Sequence, residues 1–182
     1  ALIKFEKFLD VCIKRNLFLK FEKTWLGVQK VEFFGYVCEH NSYYLGQKRK
    51  DAIEQIEFPG SQKQAQAAAG SFIFFQNFVP YFSELIAPLY DMTVKGFNFE
   101  EKSTWKRDYE DDFKKMKAAL AEAQTLYYPD YDLSWLLRAD ASQMGVGAVL
   151  LQDAGEGKYQ PILFLSSKFS PQAMNWSTIE QE

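Results

Sequence analysis

The chain has 182 residues, of which 47% are hydrophobic and 17% aromatic. This content is enough to build a packed core and excludes wholesale disorder. The formal net charge is −3, with 21 Lys and Arg against 24 Asp and Glu. Free-standing nucleic-acid binders are usually basic, so the charge balance disfavours that class.

Cysteine content and hydropathy indicate the compartment. The two cysteines, Cys12 and Cys38, form no CxxC or Cys/His cluster, which predicts reduced thiols in a reducing intracellular compartment. We therefore expect the cytoplasm or nucleus rather than secretion. No apolar run reaches the ~18 residues of a membrane-spanning helix.

The N-terminal third begins with a helical pattern. Apolar residues three and four positions apart predict an amphipathic helix from Leu2 to Ile13, ending near Asn16. Short extended runs follow at 17–21, 28–38 and 43–45. The polar turn at 39–42 makes the last two runs a predicted hairpin.

The middle of the chain is predicted to be helical with interruptions. Helices are expected over 51–56, over 61–79 with Ser61 as its N-cap, and over 81–92 with a kink at Pro88. The charged segment 93–104 is the best linker candidate. Apolar residues at helical spacing predict a further helix over 107–122. Six aromatic residues in this region form either core or a stacking platform for bases: Phe72, Phe74, Phe75, Phe78, Tyr81 and Phe82.

The last third changes character. Three short apolar runs at 133–139, 146–152 and 160–166, separated by glycine-bearing turns, predict a three-stranded antiparallel meander. A capping box beginning at Ser177 predicts a helix start. Because the chain begins in one helical pattern and stops in another, we expect it to be a fragment.

Three groups of motifs carry a family resemblance. The first is VEFFGYV at 31–37. The second is the aromatic segment from Gly70 to Pro80, followed by IAPL at 86–89. The third comprises YPDY at 128–131, ADAS at 139–142, GVGAVL at 145–150, Gln152, PI at 161–162, SKFSP at 167–171 and NWSTIEQE at 175–182. Their order and spacing resemble the Pol polyproteins of gypsy-type long-terminal-repeat retrotransposons.

This resemblance implies an α+β fold in three parts. Residues 1–47 correspond to the end of a reverse-transcriptase palm, with a helix and the primer-grip hairpin. Residues 48–126 correspond to a small helical thumb and connector. Residues 127–182 correspond to the N-terminal part of an RNase H-like domain, with its three-stranded antiparallel meander incomplete.

The resemblance also implies catalytic and metal-binding residues. RNase H cleaves the RNA of an RNA–DNA hybrid with Mg²⁺ held by carboxylates. Asp140 corresponds to the first metal ligand of the family and Glu182 to the second. Two further RNase H acids of the family lie downstream of Glu182, and the polymerase aspartate pair lies before Ala1. We therefore expect the chain alone to be catalytically inactive.

Nucleic-acid contacts are expected at two places. By resemblance, Phe34, Gly35 and Tyr36 form the primer grip. The basic cluster Lys48, Arg49 and Lys50 either contacts a phosphate backbone or is a solvated helix entry. The family's two duplex-facing thumb arginines are replaced here by Gln76 and Asn77, which weakens the expected electrostatic binding.

Two hypotheses for function remain. In the first, the chain is part of a reverse transcriptase–RNase H whose partner is an RNA–DNA hybrid or a template–primer. In the second, it derives from a domesticated element and is a non-catalytic scaffold or subunit, with protein partners in a larger assembly. The neutralised thumb arginines and the many aromatic residues motivate the second hypothesis.

Overall fold

A computed structural model describes residues 2–170 and 172–177, and this part of the chain combines five α-helices with two antiparallel sheets. The predicted α+β class is therefore confirmed. The helices are α1 Leu2–Lys14, α2 Gln47–Glu54, α3 Gln62–Ile73, α4 Phe82–Thr93 and α5 Tyr109–Ala121. The strands are β1 Lys30–Phe33, β2 Tyr36–Glu39, β3 Ser42–Leu45, β4 Leu126–Tyr127, β5 Trp135–Ala141, β6 Gly145–Asp153 and β7 Tyr159–Lys168.

The N-terminal region confirms helix α1 but corrects two strand predictions. The run 17–21 forms no strand and leads into a 3-10 helix, Phe21–Lys23. Its apolar residues are exposed, so they do not pack into a core. The run 28–38 is two strands, because Phe34 and Gly35 both take positive φ angles of 50° and 81°. Such a two-residue turn makes β1 and β2 a tight hairpin.

The first sheet has the order β1-β2-β3-β4, with every neighbouring pair antiparallel. The turn after β2 lies where the polar residues 39–42 predicted one. Strand β4 was not predicted. It pairs with β3 through Ser42 opposite Tyr127 and Tyr43 opposite Leu126. A strand of two residues is too short to carry a periodic pattern of its own.

The helical region begins and ends differently from the prediction. Helix α2 starts at Gln47, ahead of the predicted 51. Ser61 caps α3 as predicted, its hydroxyl accepting from the Gln64 backbone N–H at 3.3 Å. Helix α3 ends at Ile73 rather than near 79, because the chain turns through a 3-10 helix, Gln76–Phe78. Helix α4 continues through Pro88 as one element.

The main core lies between the helices and the first sheet. Four residues of α5 spaced along one face are buried there: Tyr109, Phe113, Met116 and Leu120. Of the six aromatic residues between 72 and 82, Phe72, Phe75, Phe78 and Phe82 are also buried in this core. Phe97, Phe99 and Trp105 pack against it. The segment 93–104 is therefore a packed loop and not the expected linker.

The N-terminus of α5 offers a stability prediction. The Asp108 carboxylate accepts from the Asp111 backbone N–H at 3.0 Å and caps the helix. Asp108→Ala should lower the free energy of unfolding by about 1 kcal/mol, measured by urea denaturation. Asp108→Asn retains a capping oxygen and should behave like the wild type. Equal losses in the two variants would contradict a capping role.

The second sheet confirms the predicted meander, with strand order β5-β6-β7 and antiparallel pairing throughout. One row of paired residues crosses all three strands: Asp140 lies opposite Gly147, and Gly147 lies opposite Ser166. Helix α4 contacts β7, and Phe164 of β7 packs against the main core. The predicted helix start at 177–182 falls largely outside the described residues.

Candidate functional site

Asp140 is the penultimate residue of β5, and its side chain is exposed. The hydroxyl of Tyr81, just before α4, donates a hydrogen bond to its Oδ2 atom at 3.1 Å. This hydrogen bond is the main reason that the pKa of the Tyr81 hydroxyl is raised, because ionisation would place a phenolate beside a carboxylate. Asp140 is thus held by a residue far from it in the chain.

Two glycines of β6 allow close packing at this end of the sheet. A Cβ on Gly147 would lie 2.6 Å from the Cδ1 and Cε1 atoms of the Tyr81 ring. A Cβ on Gly145 would lie 2.4 Å from the backbone oxygen of Ser167 on the neighbouring strand. Both distances are shorter than any normal contact. The glycines of the GVGAVL segment are therefore required by packing.

The N-terminus of α4 makes two further polar contacts with the sheet. The Ser83 backbone N–H donates to Ser166 Oγ at 2.9 Å, and Ser142 Oγ donates to the Glu84 carboxylate. Helix α4 has no side-chain cap from its own N-cap residue, Tyr81. Ser166 therefore satisfies one of the free N–H groups at the start of the helix.

A groove of about 300 Å³ lies beside Asp140, and its lining includes Tyr81, Arg138, Gly147 and Phe164. The described part of the chain assembles no group of three or more His, Cys, Asp or Glu side chains that could hold a metal ion. Mg²⁺ prefers octahedral oxygen coordination and is held through carboxylates. The described residues alone therefore do not fit a magnesium site, and Glu182 lies outside them.

The tip of the β1–β2 hairpin presents aromatic surface. Phe33 and Phe34 are 60% and 74% exposed, with ring centroids 4.4 Å apart in an edge-to-face arrangement. Tyr36 is half-buried and stacks on Phe74 and Phe78 at 5.0 and 5.3 Å. The hairpin is therefore anchored to the helical region, while the Phe33 and Phe34 rings stay exposed.

The basic cluster divides into exposed and structural members. Lys48 is exposed. Arg49 is also exposed, and its guanidinium lies 5.2 and 5.3 Å from the rings of Phe74 and Phe75. Lys50 is half-buried, and its Nζ donates to the Ala121 carbonyl at 2.8 Å. Ala121 is the last residue of α5, and the helix dipole stabilises a positive charge at this end. Arg49 also approaches Gly35, so the structure brings hairpin and cluster together.

Tyr36 supplies a pH prediction. Burial raises its pKa to about 12, with Arg49 opposing part of the rise. An unfolded tyrosine has a pKa of about 10, so the folded state holds the proton longer. The contribution of Tyr36 to stability should be complete below pH 10 and disappear as the pH rises towards 12. The difference in urea stability between wild type and Tyr36→Phe should narrow across that window; a constant difference would contradict the burial effect.

The sequence patterns did not single out three residues of this site: Tyr81, Glu84 and Ser166. Tyr81 was recognised only as one member of an aromatic run. Its positive φ angle of 51° is unusual for a bulky residue, but no sequence signal predicts it. The contact between Tyr81 and Asp140 depends on how two distant segments pack.

Comparison with known proteins finds similar sequences. Residues 105–182 match the RNase H-like domain found in reverse transcriptase. The Transposon Tf2-3 polyprotein of Schizosaccharomyces pombe is 28% identical over 167 residues, covering 92% of this chain and 12% of the polyprotein. The Tf2-4 polyprotein of the same organism gives the same values. The chain therefore spans only a small part of the relatives that it matches.

Solved structures show the same fold. The foamy viral protease-reverse transcriptase dRH in complex with double-stranded DNA has a TM-score of 0.79 and 26% identity, covering 97% of this chain and 30% of that one. The foamy viral protease-reverse transcriptase in complex with an RNA/DNA hybrid has a TM-score of 0.75 and 26% identity, covering 100% and 25%.

The three-stranded meander lies within the segment that matches the RNase H-like domain found in reverse transcriptase. Over most of its length the chain is similar to retrotransposon polyproteins and to foamy viral protease-reverse transcriptases, which supports the retroelement Pol resemblance predicted from its sequence motifs. Cys12 and Cys38 are both free thiols, as expected. None of the helices in the described ranges is long and apolar enough to cross a membrane.

Proposed function

We propose that this chain contributes a primer-gripping hairpin and two nuclease carboxylates, Asp140 and Glu182, to a gypsy-type reverse transcriptase–RNase H. The observation that carries the proposal is the position of Asp140 near the end of the first strand of the meander, within the segment that matches the RNase H-like domain. In this proposal Asp140 and Glu182 belong to a Mg²⁺ site that further acids of the whole protein complete. The described residues do not form that site alone.

The proposed nucleic-acid partners rest on the exposed hairpin tip and on the relatives. Structural neighbours of the chain are in complex with double-stranded DNA and with an RNA/DNA hybrid. Phe34 would contact the primer strand through its exposed ring, since aromatic faces suit a nucleic-acid end. Gly35 and Tyr36 are weaker candidates, because the Gly35 carbonyl accepts from the Gly46 N–H and the Tyr36 ring stacks on Phe74 and Phe78. Lys48 and Arg49 would contact phosphates. Lys50 is a weaker candidate because Ala121 occupies its ammonium.

The test is hybrid cleavage by the protein extended in both directions along its native reading frame. The extended protein should cleave the RNA of a labelled RNA–DNA hybrid when Mg²⁺ is present. Asp140→Asn should reduce the rate by at least ~100-fold, since loss of even an outer-shell partner of a metal site can cost that much. Asp132→Asn, on the exposed loop before β5, is the matched control. An inactive extended protein with Asp140 intact would overturn the proposal.

A second candidate is a retroelement-derived scaffold or subunit, favoured by the exposed apolar surface of the N-terminal segment. Large apolar side chains there are solvent-exposed, among them Leu2, Ile3, Phe18, Phe21 and Trp25, and protein interfaces commonly bury exposed apolar surface of this kind. Hybrid binding that weakens steeply with salt would favour the enzyme. Stoichiometric co-purification of a protein partner, without salt-sensitive hybrid binding, would favour the scaffold. Under either proposal, the free thiols support an intracellular location.

A further inference from the structure

The start of α4 covers one row of the second sheet. Asp140, Gly147 and Ser166 lie side by side across β5, β6 and β7. Tyr81 reaches Asp140 with its hydroxyl and covers Gly147 with its ring, while the Ser83 N–H reaches Ser166. The same end of the sheet therefore carries the candidate nuclease carboxylate and the docked start of a helix.

This docking leaves little room for a substrate. The groove beside Asp140 holds about 300 Å³, which is the size of a small-molecule pocket and far smaller than any nucleic-acid duplex. Glu84 accepts from Ser142 at the same end of the sheet. A second carboxylate there repels a phosphodiester backbone approaching Asp140. The observed arrangement therefore disfavours the approach of a hybrid to Asp140.

The contacts that close the groove are of a kind that opens readily. Tyr81 and Asp140 are both exposed, and hydrogen bonds in contact with water contribute little net stability. Tyr81 also holds a positive φ angle of 51° without a side-chain cap. Such a conformation is costly for a bulky residue and is found where surrounding structure imposes it. Opening the contact would relieve this conformation.

We propose that the Tyr81–Asp140 contact is an autoinhibitory latch, which holds α4 over the nuclease face and must open before an RNA–DNA hybrid reaches Asp140. The inference rests on the proposed function, because it concerns access to the same carboxylate. It adds a regulatory role for Tyr81, Glu84 and Ser166. The closed and open states differ by the docking of the start of α4 on the row Asp140–Gly147–Ser166.

The first test measures the latch without metal or nucleic acid. Hydrogen exchange of the Ser83 amide in the 182-residue chain reports docking, because this N–H donates to Ser166. Tyr81→Phe removes only the hydroxyl and should speed exchange at Ser83 about fivefold. Gly147→Ala should speed it further, because its Cβ collides with the Tyr81 ring. Amide exchange within β5–β7 should stay slow, which shows that the sheet remains folded.

Matched controls separate the latch from general effects. Tyr131→Phe removes a hydroxyl for which no hydrogen bond is found within the described residues, and Gly70→Ala adds a Cβ where no atom lies within 4 Å. Neither should change exchange at Ser83. If Tyr81→Phe and Gly147→Ala also leave Ser83 unchanged, the latch is overturned, whatever the nuclease does.

The second test adds an RNA–DNA hybrid. Binding at the open face should speed Ser83 exchange, and Tyr81→Phe should tighten hybrid binding by about the same fivefold factor, because the coupling is reciprocal. Variants that open α4 without changing hybrid affinity would overturn the closing role. Failure of every variant to bind hybrid would instead overturn the proposed nucleic-acid function, and the latch as its regulator with it.

Discussion

Phe72→Ala is expected to lower the free energy of unfolding by about 3–5 kcal/mol. Phe72 has no exposed surface and packs against Phe113, with ring centroids 5.8 Å apart, in the centre of the helical core. Removing the ring loses buried apolar area and leaves a cavity among helices that can close it only in part. Urea denaturation followed by circular dichroism measures the loss.

The control for this substitution is Phe18→Ala. Phe18 is 96% exposed, so its removal should change stability by no more than about 0.5 kcal/mol. Comparing two Phe→Ala changes in one chain separates burial from the loss of a phenylalanine as such. Similar destabilisation by both variants would show that the core does not lie where the structure places it.

Gly145→Ala is expected to disrupt the second sheet at a cost of about 3 kcal/mol, the upper end for overpacking. The added Cβ would meet the Ser167 backbone oxygen at 2.4 Å, and a paired strand cannot move aside as a flexible side chain can. The register of β6 on β7 would have to shift. Faster amide exchange across β6 and β7 and a lower urea midpoint are the expected results.

Gly70→Ala is the matched control, and this variant is expected to be more stable than the wild type. Gly70 lies inside α3 with open space where a Cβ would be, so alanine should raise stability by about 0.5–1 kcal/mol. Opposite signs for the same substitution at two glycines would support the packing interpretation of GVGAVL. A loss at both positions would contradict it.

Strong local patterns predicted most of the fold. The stripe of Tyr109, Phe113, Met116 and Leu120 predicted α5, and the glycine-separated apolar runs predicted the three strands of the meander in their observed order. Two strand predictions are wrong because an apolar run alone does not distinguish a single strand from an exposed segment or from two strands joined by a turn. The 17–21 run has no face to bury, and the 28–38 run contains a turn at Phe34, where a bulky residue adopts a positive φ angle. Hydrophobic periodicity predicts neither the exposure of the first run nor the turn within the second.

The candidate site was predictable only in part. The resemblance indicated Asp140, and the structure places it near the end of the first strand of the meander; its catalytic role stays a prediction. The contacts of Asp140 with Tyr81 and of Ser142 with Glu84 join residues 59 and 58 positions apart. Their pairing depends on how α4 packs on the sheet, which no local spacing specifies. The contact of Lys50 with Ala121 is also not predictable from local spacing, because the two residues lie 71 positions apart in the chain.

The pairing of β3 with β4 has a consequence for recombination of sequence segments between related proteins. The chain leaves the first sheet after Leu45 and returns at Leu126, and Tyr43 and Leu126 face each other on strands about 4.8 Å apart. Helices α2 to α5 lie between these two points in the chain. They are therefore joined to the first sheet by two neighbouring chain connections, one after Leu45 and one before Leu126. A recombination event with breakpoints at both connections would replace helices α2 to α5 as one unit and leave the register of β3 on β4 unchanged.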